Sequence, residues 1–158
     1  MRTRTAFFNQ LAGAALALSL TTACVTTAFA ADQRAQAERS DRVKVVYHLV
    51  DGNDQATRGL ANIRNHLRAD PDARIVVVAL GDGIKFLLEG MKDRKDQRFD
   101  TAVAALIAQG VEFRLCENTL TAHNVSASSV LPGVRIVPSG VAEVARLQAK
   151  EGFAYLRP

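Results

Sequence analysis

Five short runs of β-branched and apolar residues recur along the chain: VKVVYHLV (43–50), ARIVVVAL (73–80), VEFRLC (111–116), VRIVP (134–138) and FAYLR (153–157). The first two are apolar at consecutive rather than alternate positions, which is the pattern of strands covered on both faces. Between the runs the spacing changes to that of helices. Leu60, Ile63 and Leu67 stand at i, i+3 and i+7 in 55–69, with Ala56 and Gly59 able to share their face. Ile84, Leu87 and Leu88 mark a short helix over 84–90, and Val103, Leu106 and Ile107 one over 99–109. Asn118 or Thr119 is expected to cap a short helix running to about His123, because both side chains accept the orphan amides of a helix start. Ser139 is expected to cap a last helix whose inner face carries Val141, Val144, Leu147 and Gln148. Asp51-Gly52, Asp70-Pro71-Asp72, Gly81-Asp82-Gly83, Gly110 and Gly152 punctuate the segments. The order β-α-β-α-α-β-α-β-α-β predicts an α/β fold: a parallel or mostly parallel five-stranded sheet with helices on both faces.

The first thirty residues belong to a different pattern. Arg2 and Arg4 precede the apolar run LAGAALALSL, and TTACVTTAFA closes on Ala28-Phe29-Ala30. That order predicts a secretory signal peptide over 1–30, cleaved after Ala30. The apolar run falls short of the roughly 20 residues of a membrane-spanning helix. An uncleaved anchor, or lipidation at Cys24, are the alternatives; Thr21 stands where a lipoprotein signal normally carries Leu. Residues 31–42 read as a polar lead-in and 43–158 as one domain. Cleavage leaves 128 residues with 18 basic against 16 acidic side chains, a net charge of +2 rather than the whole-chain +4. The densest charged stretch, MKDRKDQR (91–98), mixes its signs, so nucleic acid is not an expected partner. Nor is a membrane, once the signal is gone. The setting implied is periplasmic or secreted.

Cleavage also removes Cys24, and Cys116 is then unpaired. An odd cysteine in an exported chain forms an intermolecular bond, lies buried and inert, or is reactive. In open α/β sheets sites form beyond the carboxyl ends of the strands. Those ends are Asp51-Gly52, Gly81-Asp82-Gly83, Cys116-Glu117-Asn118 and Pro138-Ser139-Gly140. Cys116 sits there just before a helix start, where amides and the helix dipole stabilise a thiolate. Arg114, two residues back, shares its face and can add positive charge. His48 near the end of the first strand and His123 after Asn118 are candidate proton carriers; a core histidine and a solvent-facing one are the plainer readings. One Cys with scattered His has no metal-ligand spacing. Gly81-Asp82-Gly83 lacks the features of a phosphate loop, and Pro-Ser-Gly at 138–140 is not a nucleophile elbow. Asp51 and Asp82 can pair at the crevice or simply serve their turns.

VVYHLVDG, the Gly turn after VVVAL, FRLCENTL, VPSGVAEVARLQ and EGFAYLRP together resemble the DsrE/DsrF-like proteins, most closely their small, exported, single-domain branch. The likeness covers nearly all of 43–158. It implies a three-layer α/β/α sandwich that assembles into trimers or hexamers. It also implies a sulfur carrier that holds sulfane sulfur as a persulfide on a cysteine after the third strand and passes it to a partner protein. Cys116 takes that position, and Asn118, Thr119 and Leu120 match the motif beside it. No prosthetic cofactor is implied. The cysteine of the sulfur-carrier subunits is followed by a different loop, and those subunits are cytoplasmic. Whether a sulfurtransferase-like activity accompanies the fold stays open. Two other readings compete: a non-catalytic oligomeric binding or assembly module with a buried structural cysteine, and a redox sensor acting through an intermolecular disulfide.

Overall fold

The computed structural model describes residues 42–158, and Arg42–Pro158 forms one compact unit. The expected signal peptide, Cys24 and nearly all of the lead-in lie outside the described residues. The elements follow in the order β1 (Lys44–Leu49), α1 (Asn53–Ala69), β2 (Arg74–Ala79), a 3-10 helix (Gly81–Leu87), α2 (Phe99–Ala108), β3 (Glu112–Cys116), α3 (Glu117–Ala122), a second 3-10 turn (Ala127–Ser129), β4 (Arg135–Val137), α4 (Gly140–Glu151) and β5 (Ala154–Leu156). The strands pair all-parallel in the order β4-β3-β2-β1-β5.

The connectivity decides where the helices go. From β1 to β4 the chain steps one strand at a time in one direction, then returns across the whole sheet to place β5 beside β1. Parallel crossovers are right-handed, so a reversal of direction moves the connecting helix to the opposite face. Residues of α1, the first 3-10 helix, α2 and α3 accordingly join Val45, Tyr47, Leu49, Val77, Phe113 and Leu115 in one large core. Among the described residues α4 covers the other face, where Val144, Leu147 and Phe153 pack with Val46, Val76 and Val78. The adjacent strands β3 and β4 are thus followed by helices on opposite faces. Their carboxyl ends form the topological switch point, the place where open α/β sheets keep their sites.

Burial along the strands follows the same logic. β2 is buried from Ile75 to Ala79 and β3 from Phe113 to Cys116, whereas β5, at an edge, is exposed throughout. The helix expected over 84–90 is a 3-10 helix displaced to Gly81–Leu87. Gly83 fixes it against the end of β1, where a Cβ on the glycine would fall 2.2 Å from the carbonyl oxygen of Leu49. On α4, Val141 is 63% exposed and Gln148 is exposed, not inward as the spacing suggested. The buried stripe is Gly140, Val144 and Leu147. At 100° per residue, Val141 and Gln148 lie off to one side of it.

Candidate functional site

β3 ends at Cys116 and α3 begins at the next residue, so Cys116 itself is the N-cap, with extended backbone at φ −72° and ψ 117°. The cap is therefore not Asn118 or Thr119, as expected. The strand runs straight into the helix, and those two residues stand in its first turn with their amides turned to the sulfur. α4 begins at Gly140, capped as expected by Ser139, whose Oγ accepts from the Ala142 amide at 3.4 Å. Two helix starts from opposite faces of the sheet therefore converge on one thiol.

Cys116 is 5% exposed. Burial pushes its thiol up. The hydrogen-bonding pull of the Thr119 hydroxyl and of the amides of Gly140, Thr119 and Asn118 outweighs burial and holds the thiol below its ordinary value. Thr119 Oγ1 also accepts from the Gly81 amide at 3.2 Å. The turn after β2 is thereby tied into the site. The Asn118 amide also reaches the Pro138 carbonyl, at 3.4 Å.

Arg114 shares the face of Cys116, as alternation requires, but its charge is not spent on the thiol. It is 3% exposed and paired with Glu112 and Glu143. Those pairs belong to a closed ring of alternating charge. Arg74 bridges Glu112 at 3.2 Å and Glu151 at 3.3 Å, and Arg146 bridges Glu151 and, at 2.8 Å, Glu143. The ring joins β2, β3 and α4. Glu143 is held down to about 2, chiefly by hydrogen bonds from Arg146 and also by Arg114, against the opposing effect of burial.

The histidines do not meet the thiol. His48 Nδ1 bonds the Tyr155 hydroxyl at 2.8 Å, and its Nε2 is buried with no partner among the described residues. Burial, then the Arg157 charge, hold the ring below the ordinary imidazole value against the opposing pull of Asp51. β2 lies between β1 and β3, which sets His48 two strand spacings, about 9.5 Å, from the β3 backbone. His123 is exposed at the end of α3, and its charge is felt by Asp82 rather than by Cys116. Asp51 accepts from Arg157 after β5, and Asp82 pairs with Lys85 within the 3-10 helix, so each carboxylate has a cationic partner of its own. Among the described residues no group of three or more His, Cys, Asp or Glu side chains is placed to hold a metal ion, and no helix is long and apolar enough to cross a membrane.

Sequence reasoning missed Gly140 as a contact of the sulfur. Its signal was a poor helix former at the first helical position, directly after the cap. It also missed Gln55, 1% exposed, whose Oε1 accepts from the Val50 and Asp51 amides at 2.7 and 2.8 Å. Its Nε2 donates to the Pro158 carbonyl at 3.1 Å, which ties the turn after β1 to the chain end.

An all-parallel α/β sheet with a stabilised thiol at its switch point defines the class. The profile of the DsrE/DsrF-like family matches residues 10–158, and the chain belongs to that family, which is generally linked to sulfur relay. Among solved structures, the protein of unknown function MTH1491 from Methanobacterium thermoautotrophicum is 35% identical, with a TM-score of 0.64 over 73% of this chain and 99% of that one. The ychN protein from E. coli shares the fold at 17% identity, with a TM-score of 0.60 over 74% of this chain and 98% of its own. No curated protein matches.

Proposed function

We propose that this protein carries sulfane sulfur as a persulfide on Cys116 and passes it to a partner thiol, working as a homo-oligomer in the periplasm after loss of residues 1–30. The observation that carries this reading is the place of Cys116: it closes β3 as the N-cap of α3 and lies against Gly140 at the start of α4, with donors nearby that hold its thiol below the ordinary value. Such a setting stabilises the anion that forms before sulfur is taken up and again when it is delivered.

The chemistry balances without a cofactor. The Cys116 thiolate attacks the outer sulfur of a donor persulfide. A new S–S bond forms on Cys116, the donor S–S bond breaks, and the donor sulfur leaves as a thiolate with the bonding pair. The electrons of the old bond stay with the donor, which is reduced as Cys116 is oxidised to the persulfide level. In delivery an acceptor thiolate attacks the outer sulfur and Cys116 departs as the thiolate. The same donors make Cys116 a good leaving group.

One observation favours the second reading, a binding or assembly module with a structural cysteine: Cys116 is buried. The deciding measurement is intact mass of protein purified without reductant and exposed to polysulfide or thiosulfate, with Cys116→Ser in parallel. Gain of sulfur that reduction removes and the variant lacks is the expected result. An unmodified protein whose Cys116 resists alkylation until denatured overturns the carrier reading and leaves the module.

A further inference from the structure

Beside α4, on the face of the sheet that this helix covers, lies a cavity of about 540 Å3. Cys116 does not line it; Arg114, Arg135, Ser139 and Arg146 do. Arg114 and Arg135 are register partners on β3 and β4. Like charges directly opposed on neighbouring strands destabilise a sheet, so the pair needs compensation. Arg114 is compensated by Glu112 and Glu143 within the closed ring, where three arginines meet three glutamates. Arg135 has no ion-pair partner among the described residues and stands exposed on the edge strand. The cavity wall therefore carries one positive charge more than its carboxylates balance.

Two further observations point the same way. Ser139 Oγ accepts from the Ala142 amide, which leaves its O–H free to donate. The first turn of α4, a twelve-residue helix, adds its positive end beside Ser139. A planar guanidinium, a free hydroxyl and a helix start around one concavity suit a small oxyanion or carboxylate.

We propose that this cavity binds a small oxyanion or carboxylate, held bidentately by Arg135 and by the Ser139 hydroxyl. The site is separate from the thiol and does not depend on the sulfur chemistry of Cys116. The test is titration of the purified protein at low ionic strength with sulfate, thiosulfate and acetate, against chloride at matched ionic strength, followed by amide NMR shifts and calorimetry. Saturable binding at roughly millimolar concentration is expected, with shifts centred on Ser139 and Ala142. Arg135→Gln, on an exposed position, weakens it by about tenfold, and Arg135→Lys by less, because the charge remains while the fork is lost. Cys116→Ser binds as the parent does. The contrast between sulfate and acetate tells tetrahedral from planar anions. Shifts that never saturate, equal binding by Arg135→Gln, or loss of binding in Cys116→Ser each overturn the proposal.

Discussion

Gly140 stands so close to Cys116 that a Cβ on the glycine would lie 3.1 Å from the cysteine's Cβ and 2.8 Å from Cδ2 of Leu80. The amide of Gly140 reaches the sulfur because no side chain holds α4 away from β3. Gly140→Ala is expected to destabilise the fold by about 1–3 kcal/mol through overpacking. It also draws the amide off the sulfur and raises the thiol pKa. Urea unfolding and the pH profile of Cys116 alkylation check both parts; a destabilised variant with an unmoved profile would show that the amide does not tune the thiol.

Thr119→Val removes the hydroxyl that both donates to the sulfur and accepts from the Gly81 amide. The part-buried Gly81 amide then lacks a partner, at a cost of about 1 kcal/mol. The thiol moves up, and alkylation at neutral pH slows relative to the parent. Thr119→Ser keeps the hydroxyl and is expected to restore most of the rate. A serine variant as slow as the valine one would refute the role of the hydroxyl.

The sign of the linkage for Cys116 follows from its depressed pKa. A thiol that ionises more readily folded than unfolded adds stability that is complete above the unfolded value, about 8.5, and is lost as pH falls through the folded value. The stability advantage of the parent over Cys116→Ser therefore grows as pH rises from neutral into the alkaline range. Denaturant melts of both proteins across that range measure it, and a gap that is flat with pH contradicts the thiolate.

Glu143 shows the same linkage at the acid end. Its carboxyl is held down to about 2 from an ordinary 4.5, so its contribution is complete above 4.5 and fades as pH falls toward 2. Glu143→Gln leaves buried Arg114 with Glu112 alone. The loss at neutral pH is about 2 kcal/mol, below that of a fully broken buried pair because one partner remains. The variant's stability declines less steeply between pH 4.5 and 2. Acid titrations of both proteins by circular dichroism compare the slopes; equal slopes would exclude Glu143 as a contributor to acid unfolding.

The strands were legible because their burial writes itself into the chain. Val45, Val46 and Tyr47 are apolar in succession, and only a strand covered on both sides needs that. Cys116 was legible as a candidate because it closes a strand at the carboxyl edge of the sheet, and the structure places it at the switch point. The ring was not legible beyond Arg114. Glu143 and Arg146 sit three apart on a helix and look like any solvated pair until β3 and α4 are brought together. The displaced 3-10 helix was hidden for the same reason, since Gly83 answers to Leu49, thirty-four residues earlier in the sequence. The short helix after Cys116 is legible in the chain, but its cap is not. Capping statistics favour Asn and Thr, whereas a strand passing directly into a helix makes the strand's own last residue the cap.

β1 is an inner strand of the described sheet because β5, from the far end of the described chain, pairs with it at Val45 and Ala154. Contacts of such sequence separation form slowly compared with local helices. Truncation before Ala154 would turn β1 into an edge of the described sheet, where Val45, Val46 and Tyr47 offer a template to other extended segments. The expected consequence is pairing between copies of the chain: aggregation rather than simple loss of the last strand.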